Sequence, residues 1–68
     1  MTVAKVIELI GESNVGFEEA IKDAVVKASQ TVDGIKAVEV INLTANVENG
    51  EIVDYKANVK LAFGVQGR

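Results

Sequence analysis

Hydrophobic positions along the chain change period from one segment to the next, and each period predicts an element. From Thr2 to Ile10 the β-branched residues Val3, Val6, Ile7 and Ile10 fall on both alternating faces. That pattern suits a strand covered on two sides. From Gly11 to Gly16 the turn formers Gly11, Ser13, Asn14 and Gly16 predict a loop. From Phe17 to about Val32 the period becomes helical: Phe17, Ala20, Ile21, Ala24, Val25, Ala28 and Val32 share one stripe. Gly16 stands at the N-cap, and Glu18 and Glu19 lie in the first turn, where the helix dipole favours negative charge. Glu18–Lys22 and Asp23–Lys27 have the spacing of favourable i,i+4 pairs. Gly34 is placed to end the helix in the left-handed C′ conformation, with Ile35 folding back on it. The alanines leave the stripe flat, so a sheet can approach closely.

The remaining chain reads as a hairpin. Asn49-Gly50 is the strongest two-residue hairpin signal, because both turn positions need positive φ. Before it runs Ala37 to Glu48, and after it Glu51 to about Val65. The later strand alternates cleanly. Val53, Tyr55, Ala57, Val59, Leu61, Phe63 and Val65 point one way, and Asp54, Lys56, Asn58 and Lys60 the other. In the earlier strand Ile41, Leu43, Ala45 and Val47 are expected on one face. Val38, Val40, Asn42, Thr44 and Asn46 are expected on the other. The predicted fold is α+β, a single domain over residues 1–68 with the order β-α-β-β: a three-stranded antiparallel sheet with one helix on its apolar face. Such a sheet leaves two edges and a partly uncovered surface for neighbouring copies.

Composition sharpens this expectation. The 68 residues are 49% hydrophobic, with no cysteine. A domain this short buries too little surface to be comfortable alone. With no disulfide to staple it, association with further copies is the predicted remedy. The net charge of −3 and the absence of a basic stripe argue against a nucleic-acid partner. No apolar run has the length of a membrane span. The first residues lack the features of a signal peptide, so the expected location is cytoplasmic. There is no histidine either, so zinc would lack its usual ligands.

Catalysis finds no machinery here. Ser13 and Ser29 are isolated hydroxyls with no base beside them, and the chain is read as a non-enzyme. Glu48, Asn49, Glu51 and Asp54 cluster at the expected hairpin tip. They are read as turn-solubilising residues. Oxygen ligands of this kind also suit Ca²⁺, although the spacing is not that of an EF-hand.

Four stretches together resemble a known family. Val3-Ala4-Lys5-Val6-Ile7-Glu8-Leu9-Ile10-Gly11 looks like the first strand of the dodecins, and Phe17-Glu18-Glu19-Ala20-Ile21 with Ala24, Ala28 and Thr31 like their helix. Val38-Glu39-Val40 resembles the start of their second strand. Val47 to Lys56 followed by Val59-Lys60-Leu61-Ala62-Phe63 resembles their C-terminal hairpin. The likeness runs nearly the whole chain, in order and without gaps. It implies a curved antiparallel sheet partly wrapped around one helix, and a hollow homododecamer that binds and stores flavin (riboflavin, FMN or FAD). In that family two flavins stack in each pocket between tryptophans, and a glutamine on the last strand bonds the ring edge.

The resemblance assigns the cofactor-binding positions to Ala37, Asn42 and Lys56. Ala37 stands where the stacking tryptophan is expected, and the chain has no tryptophan at all. Lys56 stands where the glutamine is expected. Asn42 occupies the polar position that reaches the ligand's tail. A flavin held without the aromatic sandwich would be held more weakly. The alternatives are a shell for Ca²⁺, one for an anionic or phosphorylated cofactor drawn by Lys56, or a purely structural assembly.

Overall fold

The computed structural model describes residues 3–65 as β1 (Val3–Ser13), α1 (Phe17–Ser29), β2 (Ile35–Glu48) and β3 (Glu51–Val65). The expected start at Thr2 lies outside the described residues. The sheet order is β1-β3-β2, so the last strand of the sequence lies in the middle. Both outer strands run antiparallel to it. The helix carries the chain across from β1 to β2 and leaves a gap that β3 fills, a split β-α-β unit. The predicted α+β fold, with its antiparallel sheet partly wrapped around one helix, is the one observed.

Register assigns each side chain to a face. Towards α1 the rungs across β1, β3 and β2 are Ile7·Leu61·Val38, Leu9·Val59·Val40, Gly11·Ala57·Leu43 and Ser13·Tyr55·Ala45. The core is small: Ala20, Ala24 and Ala28 from the helix against Ala57, Val59 and Leu61 from the central strand. Ile7, Leu9, Ile21, Val25 and Ile35 pack around it, half-buried. The flat alanine stripe therefore brings the sheet close, as its sequence implied. Phe17 and Tyr55 extend this layer with an edge-to-face contact, centroids 4.9 Å apart and planes at 81°.

Three local expectations are corrected. β1 does not stop at Ile10 but continues through Ser13, pairing Gly11, Glu12 and Ser13 with Ala57, Lys56 and Tyr55. Gly11 serves as a strand residue there, because the helix leaves no room for a side chain. The helix ends at Ser29 with Gln30 as C-cap, so Gly34 (φ 78°) marks the entry to β2 and not the helix terminus. The two i,i+4 ion pairs are not formed: among the described residues the ion pairs found belong to Lys56.

A fourth correction changes which residues share a face. The β2–β3 register shifts between Val40 and Asn42. Ile41 is the extra residue of a bulge, and an extra residue reverses the alternation beyond it. Val38 and Val40 therefore lie on the helix side with Leu43 and Ala45, and not with Asn42, Thr44 and Asn46.

One helix cannot cover this sheet. Val38, Val40 and Leu43 face the helix side yet remain exposed. The hairpin runs on past the end of β1 as a two-stranded tongue, so the molecule measures 55 × 20 × 12 Å. Its radius of gyration is 14.1 Å, whereas a compact chain of this length has about 11 Å. Its accessible surface is 5069 Å², against about 4,100 Å² for a monomer of this mass.

Candidate functional site

The sheet face turned away from α1 carries the polar chemistry. Its rungs across β1, β3 and β2 are Val6·Ala62·Ala37, Glu8·Lys60·Glu39, Ile10·Asn58·Asn42 and Glu12·Lys56·Thr44, with Asp54 opposite Asn46 beyond the end of β1. The Ile41 bulge places Ala37 and Asn42 on one face although they are five positions apart, an odd offset that regular alternation would put on opposite faces.

All three sequence-derived positions therefore share this surface, but they do not converge in one copy. Asn42 is paired with Asn58 and sits diagonally beside Lys56. Ala37 is paired with Ala62, six residues along β3 from Lys56, or about 20 Å at the usual strand rise. A ring system stacked at residue 37 cannot also reach Lys56 of the same chain. Ala37 borders a hollow of about 400 Å³ with Val6, Val38, Glu39, Lys60 and Ala62.

Lys56 is already engaged. Its Nζ lies 3.5 Å from Glu12 Oε2 and 3.9 Å from Asp54 Oδ2. Asn46 Nδ2 donates to the same Asp54 oxygen at 3.3 Å. This network spans all three strands and satisfies the lysine's charge locally, which leaves little attraction for an outside anion.

Sequence reasoning passed over Asn58. It lies on the central strand between Asn42 and Ile10, and its Oδ1 is buried without a hydrogen-bond partner. In the sequence it was one polar residue among Asp54, Lys56 and Lys60 on the polar face of an alternating strand, and only the sheet order, with β3 in the middle, buries it. No aromatic ring stands on this face. The chain has two Phe, one Tyr and no Trp. Phe17 is on the helix, and Tyr55 and Phe63 pair on the helix side. Among the described residues, no three acidic side chains of one copy are grouped closely enough to hold a metal ion.

The chain matches the dodecin family over residues 3–66. It belongs to the dodecin family. It is 33% identical over 63 residues to the calcium dodecin of Mycobacterium tuberculosis, covering 93% of this chain and 89% of that protein. The solved structure of that calcium-chelating dodecin superposes with a TM-score of 0.80 at 34% identity, covering 94% and 91% of the two chains. The dodecin of Streptomyces coelicolor superposes with a TM-score of 0.91 at 28% identity, covering 98% and 96%. A Thermus thermophilus protein of the same fold gives 0.94 at 25% identity over the full length of both chains. Dodecins are small, non-catalytic ligand-storage proteins that typically form homo-oligomers, and this dodecin is accordingly not an enzyme. Flavin-binding and calcium-binding dodecins are both known. No helix of this dodecin, among the described residues, is long and apolar enough to cross a membrane.

Proposed function

We propose that the chain forms a closed homo-oligomer of the dodecin kind, a dodecamer, which sequesters a divalent cation such as Ca²⁺ in place of a stacked flavin pair. The observation that carries this reading is the lack of any aromatic ring on the sheet face turned away from the helix. A flavin sandwich draws on the broad apolar face of an aromatic side chain, and Ala37, at the position the family resemblance assigns to it, supplies a methyl group. Lys56, at the assigned glutamine position, is turned to Glu12 and Asp54.

The same face offers carboxylates: Glu8, Glu12, Glu39 and Asp54. Calcium takes six to eight oxygen ligands, more than one copy groups together here. The binding site is therefore built between copies, and assembly and cation binding are linked. Kinship with the M. tuberculosis calcium dodecin supports the choice of ion.

A second reading keeps flavin storage with lowered affinity. The hollow beside Ala37 favours it, since about 400 Å³ admits a small organic ligand. Two titrations of the assembled protein separate the readings. Calcium injected in a calorimeter gives saturable heat on the first and a flat trace on the second. Riboflavin keeps its fluorescence on the first and loses it on the second.

A further inference from the structure

The two ends of the 55 Å molecule carry opposite charge. At the hairpin tip Glu48 and Glu51 are directly paired across the strands, with Asp54 a few residues on. Like charges opposed in a β-ladder repel. Among the described residues no cation comes within ion-pair distance of either glutamate. At the other end Lys5 pairs with Phe63, and Lys36 is the extra residue of a bulge whose side chain lies over Gly64. The helix's last turn carries Lys27 and the loop before β2 carries Asp33, so this end holds three lysines against one aspartate. None of these three is ion-paired among the described residues. About thirteen residues of strand, or roughly 40 Å, separate the two groups. That exceeds the screening length severalfold, so they cannot satisfy each other within one chain.

Both ends also expose apolar surface. The tongue past the end of β1 presents Val47 (62% exposed), Ile52 (51%) and Val53. A two-stranded ribbon of this kind is marginal on its own. The basic end presents Val3 (64% exposed) and Val65. An apolar centre with a charged rim is the anatomy of a protein interface, and here the two rims have opposite sign.

We propose that the acidic hairpin tip of one copy docks on the basic end of the next, a head-to-tail contact between second copies of this chain. Glu48 and Glu51 meet Lys5 and Lys36, over Val47 and Ile52 packed on Val3 and Val65. Such a contact is heterologous, and it closes into rings when the rotation between neighbours permits. It explains why two glutamates persist opposite each other: their counter-charge is supplied by the neighbour. The inference rests on the homo-oligomer reading above.

The test is a charge swap, read by light scattering in excess Ca²⁺, because cation binding and assembly are linked and the swapped residues lie apart from the carboxylates offered for the ion. Glu48→Lys/Glu51→Lys and Lys5→Glu/Lys36→Glu are each expected to lose the assembled species at a concentration where the wild type keeps it. The chain with all four changes is expected to regain it. Glu48→Gln/Glu51→Gln guards against a folding defect. It relieves repulsion inside the hairpin, yet is expected to lower the assembled fraction with the circular dichroism unchanged. Doubles that assemble like the wild type, or a fourfold variant no better than the doubles, overturn the contact. A wild type that is itself monomeric overturns the homo-oligomer reading instead, so the two failures are distinguishable.

Discussion

Gly11 lies against the main-chain carbonyl of Ala20 so closely that a side-chain carbon on residue 11 would overlap it. The same carbon would come within 3.0 Å of Ala24 Cβ. This contact sets how near α1 sits to β1, and with it the depth of the alanine core. Because Ala20 O and Ala24 belong to a rigid helix, nothing flexible can yield. Gly11→Ala is expected to destabilise the fold by about 1–3 kcal/mol through overpacking, measured as a fall in the denaturant midpoint.

Leu61 is the largest fully buried side chain. It anchors a core otherwise made of alanines and Val59. Leu61→Ala is expected to cost about 2–5 kcal/mol, a large share of what so small a domain has. Chemical denaturation of the variant beside the wild type measures it, and a midpoint unchanged within error would show that the core lies elsewhere.

The uncovered half of the sheet gives a separable effect. Val38, Val40 and Leu43 face the helix side of β2 but are not covered by α1. Val40→Asp places a charge where a neighbouring copy must pack, at a position beside Val59 that stays 41% exposed in the single chain. Light scattering is expected to show dissociation while far-ultraviolet circular dichroism keeps its helix and strand signals.

Much of the fold was legible because local signals agreed. Asn49-Gly50 fixed the hairpin, and Asn49 indeed takes φ 54° and Gly50 φ 78°. The alternation of β3 correctly separated Ala57, Val59 and Leu61 from Lys56, Asn58 and Lys60. What could not be read was tertiary in origin. Gly11 looked like a turn former, but its missing side chain serves the helix approach. The Ile41 bulge has no sequence mark, since an apolar residue in an apolar strand gives no sign that it is unpaired. Of the site, Ala37, Asn42 and Lys56 were correctly read as residues of sheet strands. Their division into two separated groups depends on the register.

The clamp reading has its own test. Ala37 is exposed at the edge of its hollow, so a larger side chain fits there without strain. Ala37→Trp/Lys56→Gln is expected to bind riboflavin where the parent chain does not. Each stacked aromatic pair adds about 0.5–1.5 kcal/mol beyond simple burial. Fluorescence quenching measures the gain. The Lys56 change alone is expected to alter stability by less than about 1 kcal/mol, since its ion pairs are solvent-accessible.

The mass in solution bears most directly on the whole account, because both shell and binding site require copies to cover one another's exposed valines and isoleucines. Multi-angle light scattering on the purified 7.2 kDa chain is expected to report a single closed species of twelve subunits. A well-folded particle of 7.2 kDa that stays unassociated as concentration rises would contradict it.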